Sequence, residues 1–249
     1  MSTGQQRQRF ERMNELEPTL WWFRAKRRIV LDMTRRFLVS DGRPRFLDLG
    51  IGAGSTLARL ERIGEAVGMD ISEYALDYAS KRTTARLMKG HIPEDLDNLE
   101  GRFDCVLMLD LLEHLDNDFG TLLRVRGLLA PDGILIITVP AYRWLFAPRD
   151  VYLGHKRRYT RAAVRSLLER AGFEPELISY YNTFLFPLAV VQRLVSRAGR
   201  QEPALDLVLP PPFLNHALER VFASERFILP HVSLPFGLSV ISVSRARAA

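Results

Sequence analysis

At 249 residues the chain has room for one α/β domain with an appendage or insertion, and its 47% hydrophobic and 26% charged content is that of a globular protein with a sizeable core. Lys and Arg (35) exceed Asp and Glu (29), a formal charge of +6 that predicts a preference for anionic surfaces, whether nucleic acid, anionic lipid or a phosphorylated substrate. The single cysteine, Cys105, excludes a disulfide framework, fits a reducing cytosol, and reads as a buried strand residue within FDCVLML. The polar amino-terminal segment lacks an apolar signal core, so no export is expected.

Residues 7–40 are expected to be helical around a break at Pro18. The stretch RFLDLGIGAGSTLARL, residues 45–60, follows, an apolar run that ends in an acid and opens into three alternating glycines. It reads as strand, ligand-binding turn and helix. Gly50, Gly52 and Gly54 let the backbone turn tightly and let a ligand approach without meeting a β-carbon. Ser55 stands where a dinucleotide fingerprint has its third glycine, which weakens a nicotinamide reading. Asp48 falls at the carboxyl end of its strand, where open α/β sheets bind ligands. After a predicted helix over 56–63, AVGMDIS supplies a second strand ending in Asp70, a carboxylate placed to accept both hydroxyls of a ribose.

Further strands are expected at 85–89, 103–109, 133–139, 176–180 and 237–244, with a helix from Thr160 to Gly172. Alternating strands and helices predict a parallel sheet wound right-handed with helices on both faces. The hxDxGxGxG turn, the acid that ends the next strand, GRFDCVLMLDLLEHLDND (101–118) and LLAPDGILIITVP (128–140) stand in an order and spacing that resembles the class I S-adenosylmethionine-dependent methyltransferases. The resemblance covers roughly residues 43–140.

That resemblance implies a Rossmann-like, doubly wound, mostly parallel seven-stranded sheet whose last strand is antiparallel. It implies S-adenosylmethionine as cofactor. The methionine portion would lie on the backbone near Gly50 and Gly52, with Gly54 completing the turn. Asp48 would anchor the amino end, Asp70 the ribose, and Ile71 would press on adenine. His91 and Ile92 occupy the adenine-contact loop, where the family commonly has an acid directly after the glycine. An imidazole there stacks or hydrogen-bonds, or is an ordinary loop histidine.

Asp110, Glu113 and His114 share a face if a helical turn starts at Asp110. The block resembles the D/E-x-x-E-H segment of ubiquinone-pathway O-methyltransferases, where such a cluster can hold a divalent metal beside the acceptor hydroxyls. The competing and preferred readings use no metal: Asp110 contacts the cofactor, Glu113 is structural, and His114 is a general base, an acceptor contact or a structural residue. Beyond the fifth strand, residues 140–160 carry Tyr142, Trp144, Asp150, His155, Arg157, Arg158 and Tyr159. Asp150 and His155 are candidates for proton abstraction. Tyr142, Arg157, Arg158 and Tyr159, with Trp22 and Arg24 from the amino-terminal segment, are candidate acceptor contacts. The alternative is a solvated charge run at 156–158 followed by a helix cap at Tyr159 and Thr160.

Residues 181–235 exceed the minimal fold. The apolar run FLFPLAVV is interrupted by Gln192 and Arg193, too early to span a bilayer. Two amphipathic helices and a proline-rich linker are expected, with Arg193, Arg197 and Arg200 flanking apolar residues as a substrate cover, dimer surface or membrane contact. The expected organisation is a helical cap (1–42), the cofactor-binding domain (43–180), the helical insertion (181–235) and the final strand and tail (236–249).

Transfer of a methyl group to a hydroxyl or similar nucleophile of a small-molecule or lipid-linked acceptor is the expected function. An RNA methyltransferase and a noncatalytic cofactor-binding scaffold are the alternatives. No base-amine motif follows the fourth strand, so nucleic acid is not the expected partner. A monomer or homodimer is expected in the cytoplasm, with an anionic membrane inner face as a surface it can meet peripherally.

Overall fold

A computed structural model describes residues 11–40, 42–191 and 209–247. Seven strands form one sheet in the order β3-β2-β1-β4-β5-β7-β6. They are β1 (Arg45–Leu49), β2 (Glu65–Asp70), β3 (Arg86–Lys89), β4 (Phe103–Leu109), β5 (Leu129–Pro140), β6 (Phe173–Tyr181) and β7 (Ser239–Ala246). β1 through β5 pair in parallel, while β7 runs antiparallel between β5 and β6. The strand order reverses direction between β1 and β4. That switch opens a crevice at the carboxyl ends of the strands.

Alternate residues of the central strands feed two cores. Leu47, Leu49, Val106, Met108, Leu135 and Ile137 face one side, and Phe46, Cys105, Leu107, Ile134 and Ile136 face the other. Strands covered on both faces read as nearly continuous apolar runs, which is why β1 was legible and β4 matches the expected 103–109. β5 and β6 extend beyond the expected 133–139 and 176–180 because their ends continue the ladders with β4 and β7 after the apolar pattern stops.

Residues 11–16 are helical, a turn holds Pro18, and helix α1 (Trp21–Phe37) follows. Its Ala25, Ile29, Val30 and Met33 are buried in the second core, against the sheet. The remaining helices are α2 (Leu57–Leu60), α3 (Glu73–Ser80), α4 (Asp118–Leu128), α5 (Pro148–Leu153), α6 (Arg161–Arg170) and α7 (Pro212–Ala223). α2 is one turn, shorter than the expected 56–63.

The insertion is anchored by buried polar side chains. Asn215 on α7 accepts from the Trp21 backbone N–H at 2.9 Å and donates to the Thr19 carbonyl at 2.9 Å. It caps α1 from another helix, since the cap residue Leu20 offers no side-chain bond. Glu219, fully buried, pairs with Arg24 at 3.1 Å and Arg28 at 3.0 Å. Glu225 accepts from the backbone N–H groups of Asn182, Thr183 and Phe184 at 2.6–2.9 Å. Residues 186–191 are helical, and Pro212 starts α7 rather than belonging to a linker. Arg193, Arg197 and Arg200 lie outside the described residues. Among those described, no helix is long and apolar enough to cross a membrane.

Candidate functional site

The glycine turn lies between the carboxyl ends of β1 and β2. Gly50, Gly52 and Gly54 have φ of +74°, +52° and +76°, a region that L side chains rarely adopt. Their reasons differ. A β-carbon on Gly54 would lie 2.7 Å from the Ala79 β-carbon, so this glycine lets α3 approach the turn. A β-carbon on Gly52 would meet nothing within 4 Å, so it would project into open space beside the turn.

Asp70 ties the turn to β2, its carboxylate accepting from the Gly52 N–H at 3.1 Å and the Ser72 N–H at 2.9 Å. Burial raises its pKa, against those bonds. Asp48 is 2% exposed, and burial pushes its carboxyl up to about 7, against the opposing pull of the Lys26 ammonium. Ile71, 56% exposed, follows Asp70 and presents an uncovered apolar surface at the same edge. The His91 backbone N–H is held by Asp95 at 2.7 Å, and the half-buried Ile92 packs on the first core.

Asp110 does not join Glu113 and His114 as the expected helical face requires. Its φ of +52° breaks the turn, and only Leu112–His114 form a short 3-10 helix. The Asp110 carboxylate pairs with Lys26 of α1 at 2.6 Å and accepts from the Thr138 hydroxyl at 2.9 Å. Lys26 also lies 5.3 Å from the centre of the Trp22 ring, which brings that aromatic to the same end of α1.

His155 takes the place that Asp110 leaves. Its Nε2 lies 3.9 Å from the Glu113 Oε1, and its ring packs edge-on against His114 at 4.9 Å. Glu113 is fully buried, and neither carboxylate oxygen has a hydrogen-bond partner among the described residues. Burial, reinforced by Asp110, holds its pKa well above the usual carboxylate range.

Behind His155 the loop is tied together by hydrogen bonds. α5 ends at Gly154 in the left-handed conformation, φ +77°, and returns the chain so that the His155 Nδ1 sits 2.8 Å from the Asp150 Oδ1. Arg158 Nε and Nη2 donate to the two Asp150 oxygens at 2.8 and 3.1 Å, and the Ala147 N–H donates at 2.9 Å. Although burial opposes ionisation, the bonds from His155 and Arg158 lower the Asp150 pKa to about 2.

Several expected acceptor contacts have partners within the protein. Arg158, 6% exposed in its side chain, orients Asp150 and also donates to the Ala141 carbonyl. Arg157 is engaged by Asp118 and by the Asp116 carbonyl, at 3.1 and 3.0 Å. Tyr159 is buried, its hydroxyl donating to Asp118 at 3.0 Å. Arg24 pairs with Glu219. Tyr142 stacks on Tyr180 with ring centres 4.9 Å apart and lies 5.7 Å from half-exposed Trp144, an aromatic face at the end of β5. Sequence reasoning missed Lys26, Asn215 and Glu219, whose partners lie 84 to 196 residues away or on another helix. The doublet "EH" signalled Glu113, but nothing local signalled that His155 would meet it.

The glycine turn, the two strand-terminal acids and the switch point define a nucleoside-binding α/β fold of Rossmann type. A family model described as a methyltransferase domain matches residues 20–178, and the chain belongs to that family. The ubiquinone biosynthesis O-methyltransferase of Rhodopseudomonas palustris is 32% identical over 109 residues, covering 40% of this chain and 41% of that one. Its counterpart from Azorhizobium caulinodans is 32% identical over 155 residues, 52% of this chain and 58% of that one. The chain thus matches about two-fifths to three-fifths of these relatives' lengths.

Among solved structures, the plantazolicin methyltransferase BamL, crystallised with a triazolic desmethylPZN analogue and SAH, aligns with a TM-score of 0.59 at 15% identity, over 90% of this chain and 86% of that one. A SAM-dependent methyltransferase from Archaeoglobus fulgidus aligns with a TM-score of 0.55 at 20% identity, over 88% and 93% of the two chains. Both share the fold.

Proposed function

We propose that this protein is an S-adenosylmethionine-dependent methyltransferase acting on a hydroxyl or similar nucleophile of a small-molecule or lipid-linked acceptor. The observation that carries the reading is the turn itself: three left-handed glycines, the middle one open to the crevice and donating its N–H to Asp70. Such a turn holds a nucleoside and its methionine tail by backbone groups while Asp70 takes the ribose. Asp48 faces the amino end, whose positive charge favours its ionised form. Ile71, His91 and Ile92 border the adenine, and Asp110 borders the cofactor through its bond to Lys26.

At the other end of the crevice, His155 with its Asp150 partner and the adjacent His114 form the proton-accepting side. Asp150 keeps the proton on Nδ1, which leaves the Nε2 lone pair as the proton acceptor. Aligning acceptor and methyl group accounts for much of the acceleration, roughly 7–11 kcal/mol in well-oriented reactions. Tyr142, Trp144 and Trp22 supply apolar contact to the acceptor. The outward face of α7, with Phe213, Leu214 and Val221 exposed, supports an amphiphilic acceptor and a peripheral encounter with an anionic membrane.

Titration calorimetry of S-adenosylmethionine, S-adenosylhomocysteine and NAD tests the cofactor. Micromolar binding of the two adenosyl ligands, lost in Asp70→Ala, is expected, and preference for NAD overturns the reading. In an acceptor screen, His155→Ala should lower turnover with cofactor affinity nearly unchanged.

A further inference from the structure

The resemblance to the ubiquinone-pathway enzymes implies a cation held by Asp110, Glu113 and His114, and that set does not fit here. Lys26 at 2.6 Å and the Thr138 hydroxyl at 2.9 Å occupy the Asp110 carboxylate. Its left-handed backbone carries it out of the face that Glu113 and His114 share. A different set converges instead. One ligand atom each from Glu113, His114 and His155 lies within 4.8 Å of the others, and these residues come from two separate loops.

We propose that Glu113, His114 and His155 bind one divalent transition-type cation such as zinc, with Asp150 and the Gly154 carbonyl as the outer partners of the two imidazoles. Glu113 is the strongest reason. A fully buried carboxyl group with no hydrogen-bond partner among the described residues is costly to keep. The cations nearest to it are already committed, Lys26 to Asp110 and Arg158 to Asp150. A metal ion supplies the missing charge.

The histidines are prepared in the way metal ligands are. The His155 Nδ1 meets Asp150 at 2.8 Å, itself clamped by Arg158, and the His114 Nδ1 meets the Gly154 carbonyl at 3.2 Å. A carboxylate or carbonyl behind an imidazole fixes its tautomer and turns Nε2 toward the ion. Metal–ligand bonds of about 2.0–2.1 Å draw such side chains inward from their unloaded spacing. Two nitrogens and one oxygen favour zinc and its first-row neighbours over magnesium or calcium. Three protein ligands leave coordination positions for an acceptor hydroxyl, whose pKa a bound cation lowers. In that state the histidines are ligands, and removal of the proton no longer falls to them.

With the ion bound, this inference replaces the proton-accepting role proposed above for His155 and His114; it does not need methyl transfer, so its test uses neither cofactor nor acceptor. The 249-residue chain, carrying no tag, is dialysed against zinc, and bound metal is counted by mass spectrometry. One zinc per chain is expected. Affinity should fall at least 10-fold in His155→Ala, His114→Ala and Glu113→Gln, fall 10- to 100-fold in Asp150→Asn, and stay within about twofold in Asp110→Asn. Zinc binding that survives both histidine changes overturns the proposal. So does a loss in Asp110→Asn equal to that in His155→Ala, which would restore the resembled set. Circular dichroism screens the variants for folding. Cobalt absorption of the unaltered chain needs no variant: intense visible bands of a low-coordinate ion are expected, and the weak spectrum of six-coordinate aqueous cobalt overturns the site.

Discussion

The Lys26 ammonium lies 2.6 Å from an Asp110 carboxylate oxygen, joining the amino-terminal helix to the end of the fourth strand across 84 residues of sequence. Burial raises the pKa values of Asp48 and Glu113, and the Lys26 ammonium only partly opposes that rise. Replacing it by Met keeps the apolar stem and removes the charge. Breaking a buried pair of this kind costs on the order of 3 kcal/mol, and a urea midpoint shift of less than about 0.5 kcal/mol equivalent would show that Asp110 finds another partner.

The glycine turn separates ligand space from packing space. Gly52→Ala places a methyl group where nothing lies within 4 Å, so only the left-handed backbone resists it, by roughly 1–2 kcal/mol. Gly54→Ala adds a 2.7 Å clash with Ala79 and should cost about 2–4 kcal/mol. Thermal unfolding should rank Gly54→Ala below Gly52→Ala. Calorimetry should find that the milder Gly52→Ala still weakens S-adenosylmethionine at least 10-fold. Unchanged binding in Gly52→Ala would place the cofactor elsewhere.

Asp48 predicts a slope in stability against pH. A carboxyl raised from 3.8 to about 7 binds its proton more tightly in the folded chain than in the unfolded one. Its contribution is complete below the unfolded value and is lost as pH rises through the folded value. Between pH 5 and pH 7 this amounts to on the order of 2 kcal/mol. Asp48→Asn, neutral throughout, should lose that much less over the same interval. Parallel profiles for the two proteins would mean that Asp48 stays ionised.

Arg158 clamps Asp150, which holds His155, and is expected to act as a positioning residue. Arg158→Lys keeps the charge but not the paired donors, and a lysine is a poor replacement at a bidentate site. With an acceptor in hand, kcat should fall about 10-fold or more while cofactor affinity and the acceptor KM stay close to wild type. A change confined to KM would instead make Arg158 an acceptor contact.

The sequence alone carried the scaffold. β1 and β4 were legible because strands buried on both faces are mostly apolar, and the glycine turn and its two acids stand in one local stretch. Patterns of this kind need only near neighbours in the chain. The acceptor end was legible only as a list of polar residues. Asp150, His155, Arg157, Arg158 and Tyr159 all look alike as contacts from sequence. Folding divides them, committing Arg158 to Asp150 and Arg157 and Tyr159 to Asp118, and it sets His155 beside Glu113. Lys26 claims Asp110, and Asn215 caps a helix almost two hundred residues away. A polar side chain has many chemically equivalent partners, and only the packing of distant segments, with the cost of leaving a buried charge unpaired, selects among them.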